Sequence, residues 1–148
     1  MADDKVPSYF AMFNEIGIIA QLARAAFEAR MPDGMVLPHF SVLNHLIRVE
    51  DGQTPLVLAR AFQVPKTSMT HTLAGLEKRG MVETRPNPED ARSKRVWITR
   101  KGRAFRDDAI KDIVEDFAPI EAQFSGERAS AILPELEDLR KVLDAARD

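Results

Sequence analysis

The sequence predicts a mainly α protein with a small β-hairpin wing, a winged helix-turn-helix flanked by long helices. Three observations predict that class. Two short helical segments joined by a proline-containing turn occupy residues 54–79. Two β-prone runs follow within residues 81–99, separated by a stretch rich in proline, asparagine and acid. Long stretches of helical apolar periodicity occupy both ends of the chain.

Tyr9 to Ala29 reads as the first helix, because Phe10, Phe13, Ile16, Ala20, Ala23 and Phe27 recur at helical spacing and Ile19 and Leu22 widen the stripe. Asp33-Gly34 breaks it. A second helix runs from Pro38 or His39 to about Val49, with Phe40, Leu43, Leu46 and Ile47 inward, and Asp51-Gly52 ends it. Thr54-Pro55 then supplies a hydroxyl N-cap and a proline at the first helical position. Leu58, Ala59 and Phe62 give this third helix its apolar face. Gln63-Val64-Pro65 is the turn. Lys66 to Arg79 forms the fourth helix, with Met69, Leu73 and Leu76 on its buried side and Gly80 just past its end.

Met81–Arg85 and Lys94–Thr99 are the strand candidates, and residues 86–93 are expected to form a protruding loop with Arg92 at its tip. Thr99 caps the next helix, expected to run to about Phe117, where Pro119 disturbs it. Phe105, Ala109, Ile113 and Phe117 form its ridge. Ser130 to Ala146 holds the last helical segment, with Ile132, Leu136, Leu139, Val142 and Leu143 as its stripe and Pro134 in its first turn. The chain thus divides into an amino-terminal dimerisation helix (1–34), a winged helix-turn-helix DNA-binding domain (35–100) and carboxy-terminal dimerisation helices (101–148). Both terminal segments carry more apolar surface than a winged module of about 70 residues needs; such faces are stabilised by burial, either as a two-helix cover within one subunit or, as expected here, against the same elements of a second subunit.

Charge points to the partner. Residues 54–103 hold eleven Lys/Arg and four Asp/Glu, a formal +7, while the chain of 148 residues totals −2; the remainder therefore sums to −9. A basic module within an acidic chain suits a polyanion, and the helix–turn–helix order makes that polyanion duplex DNA. The fourth helix leads with Pro65, Lys66, Thr67, Ser68, Thr70 and His71. Their short hydroxyls allow close approach to bases or phosphates, and the first-turn N–H groups suit a phosphate oxygen. Thr54, Ser93, Lys94 and Arg95 extend the candidate surface. Arg92 suits the negative potential of a narrow minor groove, with Asp90 two residues away to orient its guanidinium.

These residues carry a family resemblance. Leu58-Ala59, Val64, Thr67-Ser68-Met69-Thr70, Leu73, the run Leu76 to Val82, Arg85, the run Pro88 to Lys94 and Val96-Trp97-Ile98-Thr99-Arg100-Lys101-Gly102 together resemble the MarR family of bacterial transcription regulators. The Asp90-x-Arg92 wing followed by Ile98-Thr99-x-x-Gly102 is the more specific part. The resemblance implies a homodimer whose terminal helices interlock through Phe10, Phe13, Ile16, Phe117, Ile132, Leu136, Leu139 and Leu143. It implies recognition helices in successive major grooves of a pseudo-palindromic operator and Arg92 in the minor groove. It also implies repression that a small aromatic or phenolic effector relieves. Two departures stand out. Pro65 replaces the usual capping side chain of the recognition helix, and the absence of cysteine removes peroxide sensing by thiol.

An effector pocket between the dimer helices and the winged lobe would draw on Phe13, Met35, His39, Phe40, His45 and Arg48. His39 and His45 are six residues apart and do not share a helical face. With three histidines and no cysteine, neither a metal site nor another cofactor is expected. No phosphate-cradling glycine loop or nucleophile elbow occurs, so an enzyme is not expected. The amino terminus lacks a signal-peptide core and no run of about 18 apolar residues suggests a membrane span, so a cytoplasmic location is expected. The alternative function is a winged helix for protein contacts or nonspecific chromosome binding.

Overall fold

The computed structural model describes residues 6–147; the acidic residues at the extreme amino terminus lie outside that range. Six helices and one hairpin follow in the order α1 (Val6–Ala29), α2 (Leu37–Arg48), α3 (Pro55–Ala61), α4 (Lys66–Lys78), β1 (Val82–Asn87), β2 (Asp90–Ile98), α5 (Arg100–Glu121) and α6 (Gly126–Ala145). The chain divides into two compact units, one ending at Ala109 and the other beginning at Ile110.

The core of the first unit joins Val42, Leu43 and Leu46 of α2, Leu58 and Ala59 of α3, Met69, Leu73 and Leu76 of α4, and Val82, Val96 and Ile98 of the hairpin. The i, i+4, i+7 stripe of α4 is buried as its spacing predicts. The carboxy-terminal ends of α3 and α4 close in the same way. After α3, Gln63 N–H donates to Arg60 O and Val64 N–H to Ala59 O; after α4, Gly80 N–H donates to Glu77 O and Met81 N–H to Leu76 O. These are Schellman closures, which need a left-handed residue in the middle. Gly80 supplies it at φ 72° without strain, whereas Gln63 supplies it at φ 53° against its own Cβ.

The α2 start is built on an unusual acceptor. Val36 holds the N-cap position and has no side-chain oxygen to offer; instead, its own N–H donates to Nδ1 of His39, at 3.0 Å. His39 is the one polar side chain that the first unit buries among the described residues. The end of α1 is tied to the same region: Glu28 Oε1 accepts from Leu37 N–H (2.8 Å) and from Arg24 Nε (2.9 Å), and the Leu37 bond chiefly holds the Glu28 carboxyl below its usual pKa. Phe27 and Phe40 meet edge to face at 4.9 Å.

Asp51 links α2 to the hairpin, its Oδ1 accepting from Gly52 N–H and Ile98 N–H, both at 3.0 Å. Gln53 adds a bridge beside Val96, and Trp97 lies over Gly52, where a Cβ would come within 2.5 Å of the indole. Thr99 caps α5 by accepting from Gly102 N–H while donating to Gly80 O.

Three expectations change. The hairpin is longer than predicted, with strands reaching Asn87 and resuming at Asp90, so Pro88-Glu89 alone turns the chain. Pro86 fits because a two-stranded ribbon leaves each outer edge unpaired, and a proline there removes no ladder bond. Second, α5 passes through Pro119 to Glu121; a proline deletes one i→i−4 bond without forcing the axis to stop. Third, α6 starts at Gly126. Ser125 caps it by accepting from Arg128 N–H at 3.3 Å, which places Pro134 in the helix interior and not in the first turn.

The second unit consists of the end of α5, a short turn and α6. None of the 20 residues of α6 is buried, although Ile132, Leu133, Leu136, Val142 and Leu143 stand on it. Among the described residues no helix is long and apolar enough to cross a membrane.

Candidate nucleic-acid interface

The recognition turn sets the geometry. Left-handed Gln63 reverses the chain after α3, its side chain donates back to Arg60 O at 2.8 Å, and α4 departs from Pro65. Pro65 occupies the N-cap position itself and contributes no side-chain cap, so the first turn of α4 has no side-chain acceptor. Lys66, Thr67, Ser68, Thr70 and His71 are all exposed. Thr70 Oγ1 donates to Lys66 O at 2.9 Å and Thr72 Oγ1 to Ser68 O at 3.1 Å, so both hydroxyl protons are spent within the helix.

The wing rises beside that helix. Partners run in register from Val82↔Ile98 to Pro86↔Lys94, and the register then jumps so that Asn87 faces Asp90. Ala91, Arg92 and Ser93 are the surplus of that jump. Arg92 therefore stands on a bulge beside the turn and not at the tip. Its side chain is 92% exposed, and Asp90 Oδ1 accepts from both its backbone N–H (2.9 Å) and its Nε (3.3 Å). The predicted orienting role of Asp90 thus has a geometry. Arg95 is committed within the wing, pairing with Glu89 at 3.4 Å and donating from Nε to Asn87 Oδ1 at 3.2 Å. At the wing's base Arg85 pairs with Glu83 and covers the Trp97 ring at 5.5 Å.

Between α4, the start of α3 and the wing lies an open groove of about 850 Å³. Of the residues singled out in the sequence, it gathers Thr54, Lys66, Thr70, Asp90, Arg92, Ser93 and Lys94. Pro65, Thr67, His71 and Arg95 lie outside its lining, and Ser68 lines a different cleft. Sequence reasoning missed Leu56, Ala74, Glu77, Thr84 and Asn87. Ala74 and Glu77 follow Lys66 and Thr70 at helical spacing, which was the available signal. Glu77 Oε1 accepts from Thr84 Oγ1 at 3.0 Å and joins α4 to β1.

A second cleft of about 200 Å³ is lined by Arg24, Leu37, Pro38, Ser41, Val42, Phe62, Val64, Ser68, Met69 and Thr72. None of the six residues expected around an effector lines either cleft. Met35 is in the core, His39 serves the start of α2, Phe40 packs on Phe27, and His45 meets Gln53 Oε1 at 2.8 Å beside Phe62. Phe13 and Arg48 are exposed. Among the described residues no cluster of His, Asp and Glu could hold a metal ion.

A family model described as MarR family matches residues 33–93, from the loop before α2 to the wing bulge. The chain carries a MarR-family domain. The solved structure of a MarR family transcription regulator is 25% identical, with 96% of this chain and 95% of that one covered and a TM-score of 0.74. BldR, a transcriptional regulator from Sulfolobus solfataricus, is 22% identical over 95% of this chain and 98% of its own, with a TM-score of 0.78. PcaV from Streptomyces coelicolor, solved in complex with its natural ligand, is 19% identical over 89% and 91%, with a TM-score of 0.69. The last two likenesses are of fold. The MarR-family fold supports DNA-binding transcriptional regulation and belongs to regulators, not enzymes. In that architecture α4 is the second helix of the helix-turn-helix and β1–β2 the wing.

Proposed function

We propose that this protein is a sequence-specific, double-stranded DNA-binding transcription regulator, a ligand-responsive repressor that acts as a homodimer on a pseudo-palindromic operator. The groove between α4 and the wing carries this reading. A helix in the major groove and an arginine in the adjacent minor groove must straddle one sugar–phosphate strand, and this groove offers Lys66 and Lys94 to that strand with Arg92 beyond it. The excess of eleven Lys/Arg over four acids in residues 54–103 supplies the long-range attraction.

The homodimer reading is supported by the terminal helices. Phe10 and Phe13 on α1, Phe117 on α5 and Ile132, Leu136 and Leu143 on α6 are exposed in the single chain, while Ile16 and Leu139 are half-buried. Burial of such faces in a second copy would stabilise each at about 25 cal/mol per Å². Effector response is supported by the 200 Å³ cleft, which has room for one aromatic ring and touches α4 through Ser68, Met69 and Thr72.

Selection of random duplexes with the purified protein, followed by sequencing, tests the reading. An enriched inverted repeat is expected, bound about 10³-fold or more tighter than bulk DNA. Binding that fades with salt and enriches nothing favours nonspecific chromosome binding or a protein-contact role.

A further inference from the structure

Two side chains outside the bulge that raises Arg92 hold it: Asp90, through the Arg92 N–H, and Asn87 across the hairpin. Asn87 stands at the register jump and makes three hydrogen bonds. Its Oδ1 accepts from Glu89 N–H at 3.1 Å, closing the turn, and from Arg95 Nε at 3.2 Å. Its Nδ2 donates to Ser93 Oγ at 2.9 Å, and Ser93 Oγ in turn donates to Asp90 O at 3.4 Å. Turn, bulge and the paired part of β2 therefore meet on one amide. The three surplus residues have no cross-strand partner to fix them. Asn87 is half-buried, so these bonds are partly shielded from competing water. Asp90, whose carboxylate steers Arg92, has its own carbonyl held by the same Ser93 hydroxyl.

We infer that Asn87 is the positioning residue of the wing, fixing the bulge so that Arg92 is presented to DNA in one orientation. The inference rests on the DNA-binding function proposed above. Asn87 acts through Ser93 and Asp90, and Arg92 makes the contact. Arg95, being spent on Asn87 and Glu89, stiffens the wing from the other side.

The test is a double-mutant cycle on the full chain, read by fluorescence anisotropy with a labelled duplex carrying the repeat that the parent protein selects. Asn87→Ala alone is expected to weaken binding about 5-fold, the scale of one lost ordering interaction. In an Arg92→Ala background the same change is expected to alter affinity less than about 2-fold, since residues acting through one another are not additive. Ser93→Ala, which removes the other end of the Nδ2 bond, is expected to behave like Asn87→Ala and to add little to it. The thermal midpoint, followed through Trp97, is expected to stay within about 2 °C of the parent for all of them. An additive cycle with Arg92 overturns the inference, because it would make Asn87 an independent contact or a general stabiliser. Parent-like affinity of Asn87→Ala overturns it as well. If Asn87→Ala lowers the midpoint, the Ser93–Arg92 cycle decides in its place by the same criterion. A parent protein that selects no repeat overturns the function itself and the inference with it.

Discussion

Leu76 on α4 and Leu136 on α6 are the same side chain on the same kind of helix, yet the first has 0% of its surface exposed and the second 44%. Around Leu76 the chain supplies every partner itself: α2, α3 and the hairpin each contribute to one core. Around Leu136 nothing on α6 is buried, and the apolar stripe extends over most of the helix. The contrast separates two kinds of amphipathic helix. One is satisfied within its own lobe, which can then hold a reading surface still. The other is left for a partner, and in this protein we take that partner to be a second copy.

The largest expected effect comes from that pair. Leu76→Ala should cost about 3 kcal/mol in urea unfolding, since it leaves a cavity in a core with little room to relax. Leu136→Ala should cost under about 1 kcal/mol within one chain but raise the dimer dissociation constant about tenfold or more in sedimentation equilibrium. A parent chain that sediments as a monomer at micromolar concentration would remove the contrast.

Next comes the reading surface. Arg92→Ala should lose about 1–3 kcal/mol of operator binding and lower the salt slope by about one, leaving the thermal midpoint unchanged because the side chain is 92% exposed. A matched fall in stability would mean that the wing belongs to the core and not to the interface.

A smaller effect concerns the core's one buried imidazole. Burial, followed by the charge of Arg79 and opposed by the Val36 bond, holds the His39 pKa below its ordinary value of 6.5. The folded state thus favours neutral His39 more than the unfolded chain does. Its contribution is complete above pH 6.5 and is lost as the pH falls through the depressed folded value. His39→Gln keeps an acceptor that cannot titrate, so stability within about 1 kcal/mol of the parent is expected at about pH 7.5. Between there and about pH 5 its stability should fall less steeply than the parent's. Equal slopes in paired urea titrations would reject the assignment.

The smallest is Gln63→Gly at the recognition turn, expected to raise stability by up to about 1 kcal/mol by relieving the left-handed strain, offset by the lost bond to Arg60 O. A destabilised variant would show that the side-chain bond outweighs the backbone.

What was legible in the sequence follows from where the causes lie. The faces of α3 and α4, the Thr54 cap and the Gly80 closure are local, and periodicity and caps report them. The Asp90–Arg92 pair is two residues apart and was equally readable. The hairpin's extent was not, because Pro86 reads as a strand breaker until its edge position is known. Asn87 was hidden by the same misreading, since a residue placed in a loop has no register to interrupt. His39 was read only as a pocket residue because its partner here, the backbone N–H of Val36, is invisible to side-chain patterning. The proline in α6 misled through its neighbour: Ser130 offered a plausible start, and Ser125 won by reaching a free amide.

The hydroxyl of Thr70 already gives its proton to Lys66 O within α4. On the proposed duplex-binding face, a hydroxyl kept in this bond would offer lone pairs, which suit the amino groups of adenine or cytosine better than phosphate oxygens or the guanine O6 and N7 edge. Under the proposed function, a helix set in this way would favour particular bases through hydrogen-bond polarity, before shape or charge is considered.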